Sequence, residues 1–277
     1  MIETQQDSAT AQGEVVLAEA VAAYRQILGP RLLAAYALGS LAHGGFSPLV
    51  SDVDLGLIID HPLAPTDRGT IEAVADVVRA GSSPLHERLS VFWGTEQTAG
   101  GQAPGGRFPP LDRLDLLEHG RLVYGTDIRG RLVGPGRDEL VVAGARFALE
   151  YLGGDDTLEE IRRPPLLLAR GVRRLTKLAL FPVRFLFTAA TGKVGTNHAA
   201  ATHYLARMEA PGTELVRAAL AWRTSPPDDD RAAAEVIGQG MVPLYRHYIE
   251  DHATRLAVLG EGDLSLAFRR WRDRLPA

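Results

Sequence analysis

Apolar positions recur at helical spacing over residues 14–28, at Val16, Ala20, Ala23, Tyr24 and Ile27, and Gly29-Pro30 stops that helix. Leu32 to Leu38 is apolar throughout and reads as a buried strand. A glycine-rich turn runs from Gly39 to Ser51. Val53, Leu55, Leu57 and Ile59 then alternate with Asp52, Asp54, Gly56 and Ile58, so a second strand begins near Asp52. Residues 67–80 predict an amphipathic helix with Ile71, Val74, Val77 and Val78 on one side. Glu87–Trp93 reads as a third strand. Residues 95–110, rich in Gly, Pro, Thr and Gln, read as a loop. Leu111–Glu118 looks helical, and Leu122–Tyr124 is one more short strand.

From Arg137 onward the patterns are almost entirely helical. They break at Gly153-Gly154, Pro164-Pro165, Thr191–Thr196, Pro211-Gly212 and Ser225–Asp230. Pro182 is expected to kink or end its helix. The triplet Asp228-Asp229-Asp230 reads as a solvated loop or a helix start. The chain therefore divides into an α/β domain, residues 1–136, and an all-α domain, residues 137–277, across a segment holding Gly130, Gly134, Pro135 and Gly136.

Composition narrows the class without changing that picture. With 277 residues, 45% hydrophobic and 23% charged, the chain is ordinary globular material, which disorder, collagen and coiled coil fit poorly. No cysteine is present, so thiolate metal sites, disulfides and cysteine nucleophiles are excluded together. No run of about 18 apolar residues occurs, and no membrane partner is expected. The polar, acidic start MIETQQDSATAQGE lacks the basic-then-apolar order of a secretory signal, which makes a cytoplasmic location the expectation. The net charge of −4 does not suggest a nucleic-acid partner. Its distribution is uneven: residues 1–130 hold 16 acids against nine bases, whereas 161–208 hold nine bases and no acid. Only Lys177 and Lys193 are lysines, against 28 arginines, a bias that fits a GC-rich genome.

The candidate chemistry lies at Gly39-Ser40 and Ser51-Asp52-Val53-Asp54. Acids at i and i+2 on a strand share a face, where their repulsion favours a shared cation. Two carboxylates suit Mg²⁺, which keeps waters and adds substrate phosphates. A Gly-Ser turn after an apolar strand offers backbone N–H groups and a hydroxyl to a phosphate. A solvated edge strand with alternating acids is the plain alternative. His43 in the same loop reads as a surface turn residue, and Ser51 as a group that caps or orients Asp52.

Gly-Ser, a spacer of about ten residues and Asp-x-Asp on the next strand resembles the nucleotidyltransferase superfamily signature. The segment LGPRLLAAYALGSLAHGGFSPLVSDVDLGLII, Leu28 to Ile59, is similar to the N-terminal motif of the aminoglycoside adenylyltransferases that modify streptomycin and spectinomycin, with a spacer one residue longer at Leu49-Val50. Val183-Arg184-Phe185-Leu186-Phe187-Thr188-Ala189-Ala190-Thr191-Gly192-Lys193, followed by Asn197 and Ala199-Ala200, resembles their helical-domain motif. The resemblance implies an α/β nucleotidyltransferase domain, a small mixed sheet flanked by helices, followed by a helical bundle, with substrates in the cleft between them. It implies Mg²⁺ on Asp52 and Asp54, ATP as substrate, Gly39 and Ser40 at its phosphates, and transfer of AMP or another NMP to a hydroxyl of a small molecule, an aminoglycoside in the family.

The family carries a third carboxylate on a following strand. Glu87 is the candidate for that base, although on the alternation it shares a face with Leu89, Val91 and Trp93. The alternative register puts Ser90 in the position and leaves no base. Arg184 matches the arginine that contacts the triphosphate. The lysine expected thirteen residues on reads Asn197 here, with Lys193 as a substitute on the turn. Arg170, Arg174, Lys177 and Arg184 fall at spacings of four, three and seven, near one helical stripe. Asp155-Asp156 and Glu159-Glu160 are acids of a kind that suits a polycationic acceptor. Gly120 to Gly125 resembles a structural segment at the end of such domains. His198 and His203, like His247 and His252, are five apart and suggest no metal site. Two other readings stand beside the small-molecule acceptor: transfer to tRNA or protein, and a degenerate nucleotide-binding or partner-binding protein.

Overall fold

A computed structural model of the protein describes residues 2–207 and 210–276, with the backbone alone for residues 2–9. The chain divides into two compact units, Met1–Pro135 and Gly136–Ala277. No helix among the described residues is long and apolar enough to cross a membrane.

The first unit runs α1 (Ile2–Leu28), β1 (Leu32–Leu38), α2 (Gly39–His43), β2 (Val53–Ile59), α3 (Asp67–Arg79), β3 (Leu89–Gly94), α4 (Glu96–Ala99), α5 (Pro110–His119) and β4 (Arg121–Gly125). Its four strands form one mixed sheet in the order β3-β2-β1-β4. β1 is antiparallel to β2 and to β4, and β2 is parallel to β3. Period-two alternation sorts the side chains into two cores. Ala35, Ala37, Val53, Leu55, Leu57, Leu89, Val91 and Trp93 pack with Leu17 and Tyr24 of α1 and with Ile71 and Val78 of α3. Tyr36, Leu38, Ile58 and Phe92 face the other way, against Phe108, Leu116 and Ile128. Each fully buried large apolar side chain contributes about 1.5–3 kcal/mol, so two cores fix the sheet firmly. Polar staples set the frame: the Tyr24 hydroxyl donates to Ile71 C=O at 2.8 Å, and Arg31 grips Asp67 through two bonds of 2.6 and 2.8 Å.

The pattern is accurate at β1 and α3, where Gly and Pro punctuate it, but it misses the helix breaks at Gly171 and Gly260. Three short features depart from it. The glycine-rich turn opens with the five residues of α2. Glu96–Ala99, predicted as loop, is helical, because Thr95 accepts from Thr98 N–H and caps it. β3 begins at Leu89, and Glu87 lies before it in a single helical turn, His86–Arg88.

The second unit runs α6 (Arg137–Leu152), α7 (Asp155–Arg162), α8 (Pro164–Ala169), α9 (Val172–Thr191), α10 (Asn197–Leu205), α11 (Thr213–Trp222), α12 (Asp230–Val258) and α13 (Gly262–Arg274). Asp229 caps α12 through bonds to Arg231 and Ala232 N–H, so the acid triplet marks a helix start. Of the two outcomes expected at Pro182, the structure rules out an end: α9 continues through it. A proline has no N–H for the carbonyl four residues earlier. That carbonyl belongs to Leu178, and the buried Tyr245 hydroxyl of α12 donates to it at 3.0 Å. A tertiary hydrogen bond thus replaces the helical one.

Candidate active site

β1 delivers the chain to Gly39, whose φ of +59° is the left-handed conformation that favours glycine. The pairing of β1 with β2 sets Leu38 opposite Asp54. Gly39 therefore comes directly against the Asp54 side chain, and a Cβ added to Gly39 would stand 2.2 Å from Asp54 Oδ2. No side chain fits there, which is a reason for the glycine that turn propensity alone does not supply.

The loop that returns to β2 is closed on itself. Ser47 N–H donates to Ser51 Oγ at 3.0 Å, and Ser51 N–H donates to Ser47 C=O at 2.8 Å. Arg88 Nη1 donates to Pro48 C=O at 2.7 Å and ties this loop to the turn before β3. Ser51 thus fixes the chain immediately before Asp52. Asp52 and Asp54 are both half-buried, at alternate positions around the buried Val53. Among the described residues no group of three or more His, Asp or Glu side chains is arranged to hold a metal. Two carboxylates still fit Mg²⁺, which binds through one or two protein carboxylates together with substrate phosphates.

The structure separates the two candidates for the third position. β2 and β3 pair in parallel with Asp54 beside Ser90. Ser90 and Phe92 lie on the Asp54 side, because Leu89, Val91 and Trp93 fill the opposite core. Glu87 is exposed, in the turn ahead of the strand, and is not part of that row. The expected strand over Glu87–Trp93 is corrected accordingly: its first two residues belong to the turn, and the carboxylate is left outside the sheet.

Sequence reasoning passed over Asp115. This residue of α5 is buried, and its Oδ2 accepts the Gly39 N–H at 2.5 Å. The signal was present, since an acid four residues after Leu111 falls on the apolar stripe of its helix. His43 is also more than a turn residue. Its ring packs edge-on against His119 of α5, with centroids 5.4 Å apart.

In the helical unit, Arg184 Nε donates to Gly195 C=O at 2.5 Å, and the guanidinium lies 5.4 Å from the Phe181 ring centroid. That bond folds the loop carrying Lys193 and Asn197 back onto α9. Lys193 is exposed on the turn, and Asn197 opens α10, where Thr196 accepts from Ala199 N–H. Arg223, after α11, is pushed down to about 10, first by burial and then by the positive charge of Arg184.

The cationic stripe does not hold as one face. Arg170 ends α8, and Gly171, with φ +91°, separates it from α9. Both Arg170 and Arg174 turn to the buried Glu160, at 3.3 and 2.9 Å, and Arg174 also donates to Thr157 Oγ1 at 2.7 Å. The neighbouring acids are engaged as well: Glu159 lies 2.9 Å from Arg163, and Asp155 pairs with Arg274. Glu160 thus serves an internal ion pair, whereas Asp155 and Asp156 are exposed at the start of α7.

Neither a family model nor a curated protein matches the chain. Among solved structures it is similar to spectinomycin adenyltransferase AAD(9) from Enterococcus faecialis, a structure determined with ATP and spectinomycin. The TM-score is 0.52 at 14% identity, over 83% of this chain and 98% of that one. At that identity the likeness is one of fold: a small mixed sheet with flanking helices, then a helical part, as in a nucleotidyltransferase.

Proposed function

We propose that the protein is a nucleotidyltransferase that moves a nucleoside monophosphate, AMP in the first instance, from an NTP to a hydroxyl of a small molecule. The observation that carries this reading is the approach of Gly39 to Asp54, which brings the end of β1 against a carboxylate of β2. The fold likeness to a protein solved with ATP and spectinomycin supports it.

In this reading Asp52 and Asp54 hold Mg²⁺, which would supply charge neutralisation at the phosphate oxygens. Ser40 offers its amide and hydroxyl to the phosphates. The Gly39 amide is already engaged by Asp115, so the donor set is smaller than the Gly-Ser motif suggests. The acceptor hydroxyl attacks the α-phosphorus, the bond from that phosphorus to the bridging oxygen breaks, and pyrophosphate leaves with the electron pair. The hydroxyl proton passes to water. Arg184 and Arg223, whose positive charges act on one another, are the two groups we assign to phosphate. An aminoglycoside is the acceptor to try first.

The test is calorimetry with ATP and Mg²⁺, followed by pyrophosphate release across a panel of aminoglycosides and spectinomycin. A ligand present at 100 times its Kd adds about 2.7 kcal/mol of stability, which makes thermal shift a suitable first screen. Asp54→Asn is expected to keep the fold and lose Mg²⁺-dependent transfer. Equal turnover in wild type and variant defeats the proposal. Nucleotide binding without transfer to any acceptor favours the degenerate binding protein, to which Ser90 beside Asp54 points.

A further inference from the structure

Asp115 lies at the site, but the reaction outlined above gives it no part beyond holding one amide. It is only 9% exposed. One carboxylate oxygen, Oδ2, accepts the Gly39 N–H, while the other, Oδ1, is buried without a hydrogen-bond partner. A buried carboxylate oxygen with no donor is costly and calls for an explanation.

Its surroundings supply one. Asp54 Oδ2 approaches the same glycine from the Cβ direction, and Asp115 Oδ2 approaches it at the amide. Both contacts run through the bonds of a single residue, so standard backbone dimensions hold these two carboxylate oxygens within about 7 Å of each other. The helix that carries Asp115 is anchored beside it. Arg113 is buried, and its Nε donates to Ala99 C=O at 3.2 Å. Asp115 is therefore a buried acid on a fixed element, beside the acid pair, with an acceptor to spare.

We propose that Asp115 is an outer-shell carboxylate of the Asp52/Asp54 ion site. Oδ2 holds the Gly39 turn in place, and Oδ1 accepts a hydrogen bond from water bound to the ion. This rests on the reading of Asp52 and Asp54 as Mg²⁺ ligands. Mg²⁺ dehydrates reluctantly and keeps several waters, each of which has hydrogens to donate. Residues that orient a metal's ligands from outside typically change its affinity 10–100-fold. The role also accounts for the amide withdrawn from phosphate binding: that amide positions the acid.

Mn²⁺ binding, followed by electron paramagnetic resonance and water-proton relaxation with no nucleotide present, tests this without any assay of activity. Asp115→Asn keeps an oxygen to accept the Gly39 N–H and removes the charge. It is expected to melt close to wild type while its Mn²⁺ Kd rises 10–100-fold. Asp115→Ala loses both functions and is expected to melt lower as well. Asp115→Ser, a smaller neutral side chain whose hydroxyl stops one bond short of the Gly39 N–H, isolates the loss of charge on Mn²⁺ binding if the asparagine variant does not fold. Wild-type Mn²⁺ affinity in Asp115→Asn and Asp115→Ser, together with lost binding in Asp54→Asn, overturns the role of Asp115 alone and leaves it a staple of the turn. Equal binding by wild type and Asp54→Asn overturns the ion site itself, and the proposal with it.

Discussion

The acids of the sheet unit and the arginines of the helical unit both stand out in the sequence, yet the two regions hold their charge by different means. In the sheet, strand register sets Asp54 opposite Leu38, and a glycine with no room for a side chain presses against the carboxylate. Strand register and the close glycine together hold that group in place. In the helices, Arg170 and Arg174 converge on one buried glutamate, and their charge serves the packing of the unit. A run of like charge in a sequence therefore says little about what is open to a ligand. A constraint on the backbone beside a charge says much more.

The sharpest way to break this contrast is at Gly39. Alanine there meets two obstacles: a left-handed backbone that disfavours L side chains, and a Cβ 2.2 Å from Asp54 Oδ2. One of the two partners must shift. A displacement of about 1 Å at reacting groups costs on the order of 10²-fold, so Gly39→Ala is expected to lower transfer at least that much. The accompanying strain costs about 1–3 kcal/mol in stability. Steady-state kinetics and urea unfolding read the two effects separately. Near-wild-type transfer in Gly39→Ala shows that the close approach is not functional.

At the arginine cluster the expected effect is on stability. Glu160→Ala leaves Arg174 half-enclosed without its carboxylate, and loss of one partner of a buried pair is worth about 3 kcal/mol. Arg170→Ala, at a side chain 58% exposed, is expected to cost less than about 1 kcal/mol. Denaturant midpoints measured on both variants give the comparison. Similar costs for the two would place Arg170 in the structural core of the pair, and a negligible cost at Glu160 would undo the structural reading of the stripe.

What was legible in the sequence follows the same division. β1 could be read to its limits because Gly29-Pro30 and Gly39-Ser40 enclose an uninterrupted apolar run. The helix breaks at Gly153-Gly154 and Pro211-Gly212 could be read for a similar reason: backbone chemistry is local. The burial of Asp115 was legible on the stripe of its helix, but its bond to Gly39 and the continuity of α9 were not, because each depends on a partner far along the chain. The bond from Tyr245 to the Leu178 carbonyl spans 67 residues, and no window centred on Pro182 contains it. Tyr245→Phe leaves that carbonyl buried with no donor, and is expected to cost about 1–3 kcal/mol. Circular dichroism and urea unfolding of the variant check this. An unchanged midpoint would mean that α9 tolerates Pro182 unaided.

The smallest expected effect is at Glu87, where the sequence left two registers open. A positioned general base contributes about 10²–10⁴-fold, so Glu87→Gln would be severe if this carboxylate received the proton of the attacking hydroxyl. Geometry argues for the opposite outcome. β3 begins two residues after Glu87, and parallel pairing gives the place beside Asp54 to Ser90. Glu87 is exposed in the preceding turn, whose Arg88 is occupied in holding Pro48. The substitution is therefore expected to leave transfer within about twofold, as surface changes away from such features usually do. Ser90→Ala, made in parallel, tests whether the hydroxyl beside Asp54 matters. A hundredfold loss in Glu87→Gln with nucleotide binding intact would mean that the turn refolds to bring this acid into the sheet when substrate is bound. It would return the third carboxylate to the position the sequence first suggested.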